Sequence, residues 1–276
     1  MRHDAWRRFR QQVPGMVGLT VLVLLVAAAV LAPLLTPYDP VKMNLREALI
    51  APNGAHPLGT DHLGRDMLAR LLYGGRLSLV IGFLAVAIGL GAGLPLGAIS
   101  GFYGGKVDMV IQRIADALLA FPSILLALSL VAVLGVGLRN VIVAVGVAAI
   151  PSFIRLVRGS VLSIREETYV EAARSVGVPQ FVILYRHVLP NAMSPVIVQA
   201  TLTLGSAILV AAGLGFLGLG VQPPTAEWGA MLGEGRQYIF SASYMATFPG
   251  LAIFLAVLGF NLLGDGLRDA LDPRLR

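Results

Sequence analysis

His56, Asp61, His62 and Asp66 bring imidazole and carboxylate groups close together in one stretch of the chain. Both are metal-ligand types, so this is where a metal site would be sought. The spacing matches no established metal motif, and surface histidines that bind nothing are far commoner than ligands. The other two histidines are His3 and His187. No His-Glu-x-x-His, Gly-x-Ser-x-Gly or Gly-x-x-x-x-Gly-Lys pattern occurs, and each of those chemistries needs its own spacing. The chain has no cysteine, which removes thiolate nucleophiles, thiolate metal sites and disulfides together. Gly213–Gly218 spells the dinucleotide fingerprint letter for letter. That motif works only between a strand and a helix of a soluble parallel unit, whereas here it ends an apolar run. The expectation is a chain with no catalytic residues, no metal and no cofactor of its own.

The segment 158–190 shows a different kind of chemistry. Thr168-Tyr169-Val170-Glu171 has the form of a capping box, with Thr capping and Glu reaching back. A helix Tyr169–Val176 should follow and end at Gly177, a natural left-handed stop. Pro179 is placed to start a second helix. That helix, Gln180–Leu189, carries Phe181, Leu184, Tyr185 and Val188 at helical spacing, and Pro190 should end it. Two short helices about a tight turn could dock into a groove on a soluble partner. They could equally lie on a lipid surface, and spacing alone leaves both open.

The elements that position this segment follow from composition. Of 276 residues, 57% are hydrophobic and only 13% charged, and the mean hydropathy is +0.80. A soluble protein carries about 25% charged residues, so a soluble enzyme and a disordered chain are both excluded. The charge-free runs are Met16–Leu35, Leu77–Gly105, Ala117–Leu138, Asn140–Ile154, Val188–Ala226 and Gln237–Gly264. Only Asn140–Ile154 is short of the roughly 20 residues that a hydrocarbon core requires. Counting it, with Arg139 and Arg155 snorkelling at its ends, gives six crossings and an all-α polytopic membrane protein. Both termini then face the cytoplasm. On that side fall Arg2, Arg7, Arg8, Arg10, Lys106, Arg113, Arg155, Arg158, Arg165, Arg174, Arg186, Arg268, Arg274 and Arg276. Seven basic residues fall outside: Lys42, Arg46, Arg65, Arg70, Arg76, Arg139 and Arg236. The bias follows the positive-inside rule, so the net charge of +6 reads as topology and not as nucleic-acid binding. The expected organisation is 1–35 as basic N-terminus and first helix, 36–76 as outer loop, 77–266 as core, and 267–276 as tail. Basic flanks and a 20-residue apolar run make the first helix an anchor and not a cleaved signal.

Within the spans, Gly89, Gly93, Gly97, Gly101 and Gly105 recur every fourth residue, a stripe that allows another helix to approach closely. Pro95, Pro122 and Pro151 should each break one backbone bond within a span. Asp116 is expected to pair with Arg113 one turn away, and Trp228 to anchor at the headgroups.

The stretch Glu171-Ala172-Ala173, with Gly177 six residues on and Leu189-Pro190 closing it, resembles the EAA loop of bacterial ATP-binding-cassette importer permeases. His56-Pro57-Leu58-Gly59-Thr60-Asp61 with Leu63-Gly64-Arg65-Asp66 is similar to the outer-loop signature of the C-type permease subunit of dipeptide and oligopeptide importers. Phe216–Pro224 and Asn261–Asp269 are similar to two further segments of that subunit. The resemblance covers the chain from about Asp39 to Arg276 and departs from the pattern at Pro179 and Ala211. It implies a type I importer permease fold in a bacterial inner membrane. It also implies a B-type permease partner, two cytoplasmic ATPases holding the ATP and magnesium, and an extracytoplasmic solute-binding protein. Glu171, Ala172, Ala173, Gly177, Leu189 and Pro190 would contact the ATPases, and the cargo would be a peptide. Nickel or another small solute, or a channel or secondary transporter needing no ATPase, are the alternatives.

Overall fold

The computed structural model describes residues 2–271, with side chains from Trp6 onward. Arg274 and Arg276, assigned above to the inner side, lie outside the described residues, as does the end of the 267–276 tail. The described residues are mostly helical, with one isolated bridge between Thr60 and Asp66. The main elements are α1 (Arg2–Gln11), α2 (Val13–Val30), α3 (Met67–Tyr103), α4 (Gly105–Leu119) and α5 (Ser123–Leu134). They continue with α6 (Leu138–Ile164), α7 (Thr168–Ser175), α8 (Leu189–Phe216), α9 (Trp228–Gly235) and α10 (Tyr244–Leu271).

Among the described residues, five helices are long and apolar enough to cross a membrane, and α4 with α5 makes a sixth if the bent pair counts as one span. The short run Asn140–Ile154 does belong to a spanning helix, since α6 extends it to 27 residues. The third run, by contrast, is not one straight crossing. The chain turns through 91° between α4 and α5, and Pro122 stands at that break as the N-cap of α5, not within a helix. A proline that follows Phe121 pushes that residue out of the helical region, which ends α4 there. Two charges assigned to the outer loop move as well. The first turn of α3 starts at Met67, where Asp66 accepts from the Ala69 N–H at 2.7 Å, so Arg70 and Arg76 lie on the helix.

The largest helix contact is α3 along α6, and the glycine stripe makes it. A Cβ at Gly97 would lie 2.7 Å from the Ile154 carbonyl oxygen, and one at Gly101 2.8 Å from that of Arg158. Backbones that close leave no room for any side chain, so dispersion contact replaces what would otherwise be lipid. The fifth member, Gly105, lies outside this contact and opens α4 at φ +59°. A second close pair holds α2 on α10, where a Cβ at Gly18 would be 2.7 Å from the Gly259 oxygen. Gly15 beside Gly266 puts both described termini at one end, together with the ends of α3 and α6 that carry segment 158–190. At the opposite end, Arg76 donates to the Ala29 carbonyl at 2.6 Å.

Candidate functional site

Segment 158–190 is built on an apolar base. Val170, Ile183 and Val188 are fully buried against Ala98, Phe102, Val157 and Val161, at the ends of α3 and α6. Arg165 reaches back and donates to the Gly101 carbonyl at 2.9 Å, satisfying the end of α3. On this base α7 ends as expected. Gly177 has φ +79°, the Gly177 N–H meets the Arg174 oxygen at 3.0 Å, and the Val178 N–H meets the Ala173 oxygen at 3.1 Å. This pair of bonds is a Schellman stop, which a residue with a Cβ adopts only under strain.

Three expectations for this segment need correction. The capping box does not form: Thr168 is already inside the helix, the N-cap is Glu167, and no side chain caps it. Pro190 does not stop the second helix. Gln180–Val182 runs into a π-helical turn, Ile183–Val188, and then directly into α8, giving one 37-residue helix, Gln180–Phe216. The missing N–H of Pro190 falls in the first turn of α8, where the change from wide to regular helix leaves it little to break. The expected apolar face also splits. Leu184 and Val188 point into the base, while Phe181 and Tyr185 are each 69% exposed and stack with centroids 6.3 Å apart.

Of the six residues singled out, Glu171, Ala172, Gly177 and Pro190 are exposed, and Ala173 and Leu189 pack partly onto the base. Two residues that motif reasoning passed over join their two halves. Asn191 donates to the Tyr169 hydroxyl at 3.0 Å and to the His187 carbonyl at 2.7 Å, tying α7 to α8. Partial burial pushes the Tyr169 phenol above its ordinary value, with Asn191 opposing and Glu167 adding to the effect. It therefore stays a neutral hydroxyl at physiological pH.

Asp116 bonds Arg155 at 2.6 Å and not Arg113. The α4–α5 bend lays α4 beside α6, so the partner one turn away loses to one across the helix contact. Next to it, Arg158 holds Asp108 with two bonds of 2.6 Å.

The opposite end is built from charge. Asp61, Arg65 and Arg70 are at most 1% exposed. Arg65 meets Asp61 at 2.6 Å, and both arginines reach the same Glu234 oxygen at 3.0 Å. His56 bonds Asp66 at 2.9 Å, which separates it from His62. His62 stacks on Tyr238. The ligand atoms of Asp61, His62 and Glu234 lie within 4.8 Å of one another. Two guanidiniums already occupy those carboxylates, however, and a cation would have to displace them. Trp228 is no headgroup anchor: it is 3% exposed and donates to the Leu71 carbonyl at 2.9 Å. Its neighbour Glu227 caps α9 through Gly229 and Ala230 and accepts from Ser78.

Residues 93–276 match the family described as binding-protein-dependent transport system inner membrane components. The chain belongs to that family. Residues 1–52 of this permease match the N-terminal transmembrane domain of oligopeptide transport permease C. The permease is 48% identical to the dipeptide transport system permease protein DppC of Alkalihalophilus pseudofirmus, over 99% of this chain and 90% of that protein. It is 51% identical to the glutathione transport system permease protein GsiD of Pectobacterium atrosepticum, over 99% and 91%. An inward-facing structure of the MetNI methionine ABC transporter superposes with a TM-score of 0.60 at 25% identity, covering 75% of this chain and 98% of that one. The permease is thus a multi-pass membrane protein with an ABC importer permease fold.

Proposed function

We propose that this permease is half of the translocation path of an ATP-driven importer for dipeptides or oligopeptides. Its relatives carry the names of dipeptide and glutathione transport systems, and both cargoes are short peptides. A homologous B-type permease completes the path, a solute-binding protein delivers cargo from outside, and two cytoplasmic ATPases bind the ATP and magnesium. Both termini and segment 158–190 face the cytoplasm, a reading supported by the excess of Arg and Lys at that end.

Glu171, Ala172, Ala173, Gly177, Leu189 and Pro190 make up the coupling surface in this reading. The observation that carries it is the exposed Phe181–Tyr185 stack beside the Gly177 turn, with Val176 exposed next to it. Aromatic side chains left in water on a rigid support fit a groove on a partner. A lipid-surface helix would turn Leu184 and Val188 the same way, and these point inward. ATP-driven closure of the ATPases would move α7, and the permease would change state because the closed pair binds one state better. The test is recovery of the ATPase subunits with Gly177→Val, alongside uptake of a labelled dipeptide. Both should fall while the membrane level of the permease holds. Unchanged association and uptake would overturn the coupling assignment.

A further inference from the structure

Polar residues inside a membrane protein are costly unless they serve a path or bond one another, and this chain places several on facing helices. A cavity of about 140 Å³ lies between α5, α6 and α8, lined by Ser123, Ser152, Gln199, Thr203 and Ser206 among small apolar residues. Gln199, Thr203 and Ser206 follow one face of α8 at helical spacing, near its middle. Gln199 also lines a second cavity of about 330 Å³ that opens toward the coupling end past Ser194, Leu202 and Arg268. One side chain therefore forms a wall of both spaces. The hydroxyls of Thr203 and Ser206 are turned onto backbone carbonyls of their own helix. Gln199 Nε2 makes only a long bond of 3.3 Å to Thr203 Oγ1, so most of the carboxamide's bonding capacity stays unused.

We infer that Gln199, with Ser152 and Ser206, is a subsite for the backbone amide of the cargo. A carboxamide offers one acceptor and a donor pair, the complement of a peptide N–H and C=O. Among the described residues, no charged one lines the smaller cavity. The subsite would therefore read the amide shared by all peptides and ignore the charge of their side chains. Arg268 lines the larger cavity and lies where a carboxylate would pass last. This inference rests on the peptide reading above.

The test compares uptake of glycylglycine with that of glycylsarcosine, whose peptide nitrogen carries a methyl instead of hydrogen, by the complete importer in proteoliposomes. Gln199→Leu should lower glycylglycine uptake about tenfold and glycylsarcosine uptake far less, so that the preference shrinks while the ATPases still co-purify. An equal fall for both peptides, or no fall, overturns the subsite. If Gln199→Leu does not reach the membrane, Ser206→Cys decides. It should react with a small aqueous methanethiosulfonate and be protected by saturating glycylglycine, and lack of reaction or of protection overturns the subsite. A wild-type importer that moves neither peptide while remaining coupled to its ATPases would instead sink the peptide reading, and the subsite with it.

Discussion

The two ends of the bundle solve the problem of holding a loop in opposite ways. At the end carrying residues 36–66, Asp61, Arg65, Arg70 and Glu234 are drawn inside and neutralise one another, with the Tyr244 hydroxyl 2.9 Å from both the Ile50 and the Thr60 carbonyl oxygens and sharing its one proton between them. At the coupling end the base under segment 158–190 is apolar, the Asp108–Arg158 pair beside it is only part-buried, and the charges Glu171, Arg174 and Arg186 stay in water. Buried ion networks resist partial opening, because removing one partner strands the others. An apolar base has no such penalty and tolerates a shift of contacts. The difference teaches that the first end is built to hold its shape, and the second to present a surface.

The largest effect that could break this comparison is one of sidedness. The native chain has no cysteine, so Ala51→Cys and Ser175→Cys, both at exposed positions, report cleanly. In intact cells an impermeant thiol reagent should label the first and leave the second unlabelled, and labelling of Ser175→Cys from outside would invert the orientation. Next comes Asp61→Ala. It leaves the buried Arg65 without its nearest carboxylate and Arg70 with Glu234 alone, and should cost about 3–5 kcal/mol, read as a lower unfolding temperature and a reduced membrane level. Gly177→Val forces a β-branched residue into φ +79° and should cost about 1–2 kcal/mol. Because a Cβ there meets nothing within 4 Å, the damage should be confined to the turn and be seen as lost ATPase association at a normal membrane level. Smallest of all in stability is Glu171→Ala. Its carboxylate caps no N–H, so thermal unfolding should move by a few tenths of a kcal/mol at most, and any loss of ATPase association would then report a partner contact directly.

Composition and charge placement read the architecture well, because hydrocarbon length and lipid solvation act on each span separately. The glycine stripe was legible for the same reason: its meaning lies in one helix's spacing. What escaped depended on two elements meeting. Trp228 looks interfacial until α9 tucks under α3, and Asp116 looks paired to Arg113 until the bend at Pro122 brings Arg155 closer. Arg65 and Arg70 counted only as basic residues on the outer side, since nothing local foretells Glu234 arriving from 164 residues further on. In segment 158–190 the Gly177 stop follows from one residue's backbone freedom and was readable. The π-helical turn that carries the chain through Pro190 was not, because it arises from fitting Ile183 and Val188 to the base simultaneously.

The glycine contact between α3 and α6 has a mechanical consequence. With backbones in direct touch there is no cushion of side chains to deform, and the two helices must travel as a single stiff beam. At about 1.5 Å per residue, the 27 residues of α6 make that beam about 40 Å long. A small tilt imposed at the Arg165 end would be carried whole to the other end, while the corner at Phe121–Pro122, between α4 and α5, and the π-helical turn lie outside the beam and can yield. A bulkier residue at Gly97 would disable the machine by splitting the beam, without touching either end.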